Sequence, residues 1–496
     1  MTLSSPGRRC TPDARDRRRD DREVVDDGAE RVRAGELARA AGGRLVAGGS
    51  GVELGEISID SRRIRAGGVF LALRGERLDG HDFIAEALRK GAAGVIVSDR
   101  SAAPVAGAGE TAPVTIVVED TTRALQSIAR DVRRRSGARV VAITGSVGKT
   151  TTKELTAAFV GTRHDVVRNK GNLNNHIGLP LSLLELRRRP DVAVVEMGMN
   201  HAGEIRTLVG IAEPDVRVWT NVAEVHAASF ASIEGIADAK AEILEGAGTR
   251  DHLVVNAADS LAMARIGRFP GQVTTFAVGV PADVQATAVE DRGIDGMRAT
   301  VRTPAGGGRV TTPLIGAGQV ANVLAAIAVA LRFQVPLEEM VRVASTFAPP
   351  PGRGEVVRLS GGVTVVDDSY NSSPAALERV LRSLGSDRRH KRRIAVLGEM
   401  LELGARAPAL HRACGRLAAE AGFDVLVVVG GPAASALAEG ARAAGLGAGQ
   451  VLTCPASEDA AVLAADLVRA GDLVLVKGSR GVRVDRVADR LRAEWG

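Results

Sequence analysis

The chain has 496 residues, 45% apolar and 25% charged, a length that exceeds one hydrophobic core and predicts roughly three domains. Its formal charge of +6 does not mark a nucleic-acid binder, because only 2% of residues are aromatic and the arginines are spread along the chain, leaving few base-stacking platforms. Three scattered cysteines, Cys10, Cys414 and Cys454, exclude a disulfide framework or a four-cysteine zinc site, and no apolar run reaches the length of a membrane span. With no signal-peptide pattern at the N-terminus, a cytoplasmic location is expected, and a monomer.

Residues 1–32 mix Arg and Asp with almost no apolar side chains and predict a disordered charged tail, since too little surface can be buried to offset ordering entropy. From 33 to 110 the runs "GVFLAL" and "GVIVSD" flank "FIAEALRKGA", whose spacing suits an amphipathic helix; this is a small α/β unit. From 111 to 348, "VTIVVED", "VVAITG", "DVAVVEMG" and "VRVWTNV" read as buried strands separated by helical stretches, the rhythm of βαβ units in a largely parallel sheet. The segment "FAPPPGRGE" at 347–355 marks a boundary. Beyond it, 349–496 alternates "VTVVDDS", "RIAVLGE", "DVLVVVGG" and "DLVLVKGS" with Ala/Leu/Arg helices, a third unit of Rossmann-like character.

The chemistry concentrates in "AITGSVGKTTTKE" at 142–154. The usual phosphate-loop pattern puts a glycine five residues before Gly148, where Ile143 stands, so Gly145, Ser146, Val147 and Gly148 form a shortened loop. Placed between a strand and a helix, its amides and the helix N-terminus face a phosphate, with Thr151 in the first turn. Lys149 would contact the β- and γ-phosphates of a nucleotide and the Thr150 hydroxyl would bind Mg²⁺. The next strand presents Glu196 at its carboxyl end, a natural place for a Mg²⁺ ligand. Asn221, His226 and Lys240 follow on the same rim. In "NKGNLNNHIGLP" the amides of Asn172, Asn174 and Asn175 could hold phosphate oxygens or cap the following helix.

Together "TGSVGKTT", "GNLNNHIGLP", "EMGMNHAGEI", the spacing from His226 to "AKAEI", "PGRGE", "VVDDSYNSSP", "VLGEMLELG" with His411, and "LVKGSRG" resemble the Mur ligases of peptidoglycan synthesis, in order over residues 33–496. The resemblance implies three α/β domains: a small uridine-nucleotide-binding domain, a central P-loop ATPase domain with a parallel sheet, and a C-terminal Rossmann-like domain. It also implies an ATP-dependent amide ligase that joins D-alanyl-D-alanine to the terminal carboxylate of UDP-N-acetylmuramoyl-tripeptide through an acyl phosphate. Lys149, Glu196, His226, Lys240 and Asn175 are then the catalytic set. Two Mg²⁺ sites are implied, with Thr150, Glu196, His226 and a carbamylated Lys240 as ligands. CO₂ converts the lysine amine into an oxygen ligand that a hard cation prefers.

The same resemblance assigns Asn322 to the adenine, Arg353 to the phosphates and Asp368 to the ribose of ATP. It assigns Lys477, Ser479 and Arg480 to the acceptor or the reacting centre. In "SIDSRRIRAGGVFLALRGERLDGHDF", Ser61, Arg62, Gly80 and His81 become contacts of the UDP-substrate. Three features depart from the family pattern: Gly318-Gln319 where His-Asn is frequent, Glu399 where aspartate is usual, and the charged tail. A third-residue-adding Mur ligase is the nearest rival, disfavoured because "DNPR" is missing. Folylpolyglutamate synthase is disfavoured by the uridine-type first unit, and a non-catalytic nucleotide switch by the third domain.

Overall fold

The computed structural model describes residues 31–98, 112–224, 230 and 232–496; the tail up to residue 30 and His226 lie outside the described residues. Three α/β units follow one another, each built on its own sheet. Val32, expected at the end of the tail, is buried in the strand Val32–Arg33, which pairs with Glu53–Leu54.

The first unit has five strands in the order Arg44–Ala47, Val114–Val117, Gly94–Val97, Val69–Leu71, Ile57–Ser58, all parallel except the first pair. Val114–Val117 was expected to open the central unit. It instead pairs with Gly94–Val97 on one side and Arg44–Ala47 on the other. A short apolar run shows that a strand is buried but not which sheet buries it. The helix Thr121–Ser136 follows, capped by the Asp120 carboxylate on Arg123 N and ended by Gly137 in a left-handed conformation.

The central sheet has nine strands, with Arg139–Thr144 near its middle, flanked by Val192–Glu196 and Val216–Trp219. These three run parallel, so their carboxyl ends open on one rim, where ligands bind in such sheets. Their side chains are almost wholly buried because helices cover both faces, which is why they read as continuous apolar runs. The apolar helix Gly318–Arg332 packs against the helix Lys149–Val160 and buries Val323, Leu324 and Ile327. At the far edge Val284–Asp291, Met297–Thr303 and Gly306–Thr312 form an antiparallel extension, which the strand-helix rhythm does not predict.

The third unit has six strands in the order Glu355–Arg358, Thr364–Asp368, Asp472–Lys477, Arg392–Gly398, Val425–Val429, Val451–Cys454. The last five are parallel, and their order reverses beside Asp472–Lys477, the switch point at which doubly wound sheets bind ligands. Two helices on one face, Ala407–Glu420 and Pro432–Ala443, approach through glycines. A Cβ on Gly415 would stand 1.8 Å from the Leu437 carbonyl oxygen, and one on Gly440 would stand 1.9 Å from that of Arg412. Gly415→Ala must push the helices apart, and is expected to destabilise the third unit by about 1–3 kcal/mol. Calorimetry should show its transition several degrees lower.

Candidate active site

The phosphate loop leaves its strand through Gly145 at φ 150° and enters its helix through Gly148 at φ 88°. A Cβ on Gly145 would lie 1.9 Å from Thr220 Oγ1, and one on Gly148 would lie 2.2 Å from Asn322 Oδ1. Both glycines are therefore required by close approach as well as by backbone conformation. The amides of Ser146 and Val147 do not face the phosphate position. Ser146 N donates to the Asn221 carbonyl (2.9 Å) and Val147 N to Asn221 Oδ1 (2.9 Å), while Asn221 Nδ2 donates back to the Val147 carbonyl (2.8 Å). The Ser146 hydroxyl is held by the backbone of Ala223. These residues shape the loop. By helix geometry, the amides of Lys149, Thr150 and Thr151 lack intrahelical partners, which leaves them open to an anion.

Lys149 folds back over the loop, its Nζ donating to the carbonyls of Gly145 (2.8 Å) and Ser146 (3.4 Å). Burial lowers its pKa, Glu196 opposes that shift, and the nearby Arg353 adds to it. Arg353 comes from the third unit. Its Nη2 reaches Thr150 Oγ1 (3.2 Å), and its guanidinium lies 4.1 Å over the Tyr370 ring. The described conformation thus brings the second cation of the site onto the phosphate loop across a domain boundary.

Glu196 is almost completely buried. Its Oε1 accepts from Asn174 Nδ2 (2.6 Å), whereas Oε2 is buried with no hydrogen-bond partner among the described residues. A carboxylate oxygen left unpaired in a dry site is costly and needs a positive partner, which a divalent cation beside the phosphates would supply. Asn169, not singled out in the sequence, brackets the same residue: Oδ1 accepts from Glu196 N (3.0 Å) and Nδ2 approaches the Glu196 carbonyl (3.3 Å). Within the asparagine cluster the roles divide. Asn174 faces the carboxylate, its own N–H held by the Asn172 carbonyl (2.7 Å). The Asn175 Oδ1 is occupied by the amides of Ile177 and Gly178 at the start of the helix Gly178–Leu183, so its oxygen caps that helix.

Lys240 stands on the helix Ile233–Ala241, capped by Ser232. It is buried and makes no hydrogen bond or ion pair among the described residues; burial first, and then the charge of Lys149, hold its pKa well below that of a free lysine. Among the described residues no cluster of three His, Cys, Asp or Glu side chains surrounds Glu196.

On the third unit Lys477 is buried and bound to the carboxylate of Asp368 (2.6 Å) and the carbonyl of Asn371 (2.9 Å). Residues expected at the acceptor and at the ribose are therefore partners of each other. Ser479 holds a loop in place: its Oγ accepts from Leu401 N (2.9 Å) and its N–H donates to the Glu399 carbonyl (3.2 Å). Arg480 is exposed and paired with Asp485 (3.2 Å). His411 accepts from Met400 N (2.9 Å) and bonds the Ala407 carbonyl through Nδ1, which makes it a support for the same loop. Asn322 lies beside the phosphate loop, its Oδ1 accepting from Thr152 Oγ1 (3.3 Å) and its Nδ2 donating to Gln319 Oε1 (2.7 Å). Gln319, one of the departures from the family pattern, thus orients the residue expected at the adenine.

In the first unit Ser61 donates to Glu86 (2.9 Å), and Arg62 projects into solvent from a fork on Asp60. Arg62, 80% exposed, is the member of this group that offers a cation to a ligand. His81 has both ring nitrogens engaged, Nδ1 with Asp79 (2.5 Å) and Nε2 with Ser98 N (3.1 Å). Gly80 is needed because a Cβ there would meet the Leu73 carbonyl oxygen at 2.6 Å.

A P-loop on a parallel sheet, closed by an arginine from a following Rossmann-like unit, defines a multidomain nucleotide-binding protein that assembles its site between domains. Three family models match along the chain: the Mur ligase family catalytic domain over residues 53–133, the Mur ligase middle domain over 143–330, and the Mur ligase glutamate ligase domain over 352–480. A UDP-N-acetylmuramoyl-tripeptide–D-alanyl-D-alanine ligase of Bacillus subtilis is 33% identical over 438 residues, which are 88% of this chain and 92% of that protein. The crystal structure of MurF from Acinetobacter baumannii superposes with a TM-score of 0.82 at 30% identity, covering 94% of this chain and 100% of the other. MurF from Thermotoga maritima in complex with ADP gives a TM-score of 0.75 at 29% identity, covering 88% and 97%. This chain belongs to the Mur ligase family.

Gly148→Ala sets about 1–3 kcal/mol of backbone strain against the loop in addition to the clash with Asn322. ADP affinity, measured by calorimetric titration, is expected to fall by about ten-fold or more.

Proposed function

We propose that this chain is the ATP-dependent ligase that joins D-alanyl-D-alanine to the terminal carboxylate of UDP-N-acetylmuramoyl-tripeptide, yielding UDP-N-acetylmuramoyl-pentapeptide, ADP and phosphate in the cytoplasm. Membership of the Mur ligase family and the MurF-like fold over nearly the whole chain support the activity. The observation that carries the mechanism is the contact of Arg353 with Thr150, which places two cationic side chains from two domains around one phosphate loop.

A carboxylate is a poor electrophile until one of its oxygens becomes a leaving group. In the first step a carboxylate oxygen of the tripeptide attacks the γ-phosphorus of ATP; the new O–P bond forms as the bond to the β-phosphate oxygen breaks, and ADP leaves. In the second step the amine of D-alanyl-D-alanine attacks the acyl carbon, the C–N bond forms, the amine loses a proton and phosphate departs. Lys149, the amides at the start of its helix and Arg353 would offset the negative charge gathered on the transferring phosphoryl group. Mg²⁺ would screen the repulsion between carboxylate and triphosphate, and Thr150, Glu196 through its unpaired Oε2, His226 and a carbamylated Lys240 are its proposed holders at two sites.

Carbamylation suits Lys240. Desolvation holds the pKa of its amine well below that of a free lysine, which favours the neutral Nζ that can add to the carbon of CO₂ with loss of a proton. The resulting carbamate turns a buried amine that has no partner among the described residues into an anionic oxygen ligand. Asn322 is proposed beside the adenine, Asp368 with Lys477 at the ribose edge, Ser479 and Arg480 near the acceptor, and Arg62 with Ser61, Gly80 and His81 at the UDP-sugar. In the last group Gly80 and His81 act by shaping the loop.

Phosphate release should require both UDP-N-acetylmuramoyl-tripeptide and D-alanyl-D-alanine, with mass spectrometry showing the pentapeptide product. ATP hydrolysis at the same rate without either substrate would defeat the ligase reading. Lys240→Ala is expected to lower kcat by at least about 100-fold, since a buried metal-facing group is lost, and short carboxylic acids should restore part of it. Full activity of this variant without added acid would remove Lys240 from the mechanism.

A further inference from the structure

One turn after Lys149 on the phosphate-loop helix stands Lys153, whose side chain is completely buried. A buried lysine is rare and costly unless its charge is met on every side. Its Nζ donates to the Asn169 carbonyl (2.5 Å) and pairs with Glu154 Oε1 (3.0 Å), and the second oxygen of Glu154 is taken by Arg168 (2.6 Å). No role in phosphate contact is open to it, because its ammonium group points to Asn169.

Asn169 is the residue that brackets Glu196. Its carboxamide meets both the N–H and the carbonyl of Glu196, and Nδ2 also donates to the Leu173 carbonyl (2.9 Å), next to Asn174. Asn174 in turn holds Oε1 of Glu196, and its carbonyl accepts from Gly198 N (2.9 Å). The Lys153 ammonium therefore ties the phosphate-loop helix to both arms that aim the carboxylate: the strand end carrying Glu196, and the turn carrying Asn174. Among the described residues Oε2 has no hydrogen-bond partner.

We propose that Lys153 is a positioning residue for the Glu196 carboxylate, acting through Asn169 to set the distance and direction of a divalent cation from the phosphate loop. This rests on the reading of Glu196 as a Mg²⁺ ligand. Outer-shell partners of metal ligands contribute about 10–100-fold to metal affinity, and the chain from Lys153 through Asn169 acts on the same ligand by fixing the backbone of Glu196 and, through Leu173, the turn carrying Asn174.

The test uses the full chain with ADP and Mn²⁺, reading bound Mn²⁺ by electron paramagnetic resonance, beside the Mg²⁺ dependence of the rate. Lys153→Met, which keeps length and removes charge, is expected to weaken Mn²⁺ binding by about ten-fold or more and to raise the half-saturating Mg²⁺ concentration by the same factor. The rate at saturating Mg²⁺ should change less. Asn169→Ala, which removes the carboxamide and leaves Lys153 its backbone acceptor, is expected to show the same shift and covers the case in which Lys153→Met does not fold. A folded variant with unchanged Mn²⁺ affinity and a lower melting temperature would assign Lys153 to stability alone and overturn the proposal. Wild-type protein that binds ADP but no Mn²⁺ would overturn the metal reading of Glu196 and the proposal with it.

Discussion

A carboxylate and a triphosphate repel each other, and bringing them within bonding distance in a water-poor cleft requires fixed positive charge between them. The structure gathers that charge from separate places. Lys149 lies on the loop itself, the amides at the helix start add partial charge, and Arg353 arrives from the third unit. Charges so assembled would repel one another without their anionic substrate. Burial and Arg353 depress the pKa of Lys149, and Lys149 adds to the same effect on Lys240.

Such a site works only if its parts are held rigidly before substrate arrives. Asn221 and Thr220, at the end of the neighbouring strand, clamp the loop through the backbone of Ser146 and Val147. Asn169 and Asn174 clamp Glu196 from the other side. The remaining component comes from the third unit, whose Arg353 follows Gly352 at φ 70° and stacks on Tyr370. That arrangement separates tasks: the central sheet supplies a fixed phosphate and carboxylate frame, and the third unit supplies the group that completes it.

Much of this was legible in the chain. The strands beginning at Arg139, Val192 and Val216 read correctly because both faces of a parallel sheet are covered, which forces unbroken apolar runs. The loop from Gly145 to Thr150 was legible because close backbone approach admits only glycine at two of its positions. The strand Val114–Val117 was assigned to the wrong sheet, since local apolarity does not reveal a pairing partner. The antiparallel extension over 284–312 went unseen for a different reason: its outer strands are half exposed and carry no continuous apolar run.

By itself the sequence determined the element types, the phosphate loop and the family, because those depend on periodicity, on steric demands at single residues, and on motifs whose order survives in the linear chain. Tertiary structure alone decided which asparagine meets Glu196, that one of its oxygens has no partner among the described residues, that Lys477 neutralises Asp368, and that a second lysine, Lys153, lies buried behind the site. The reason is physical: hydrogen-bond direction and desolvation depend on which atoms lie within a few ångströms, and residues distant in the chain set both.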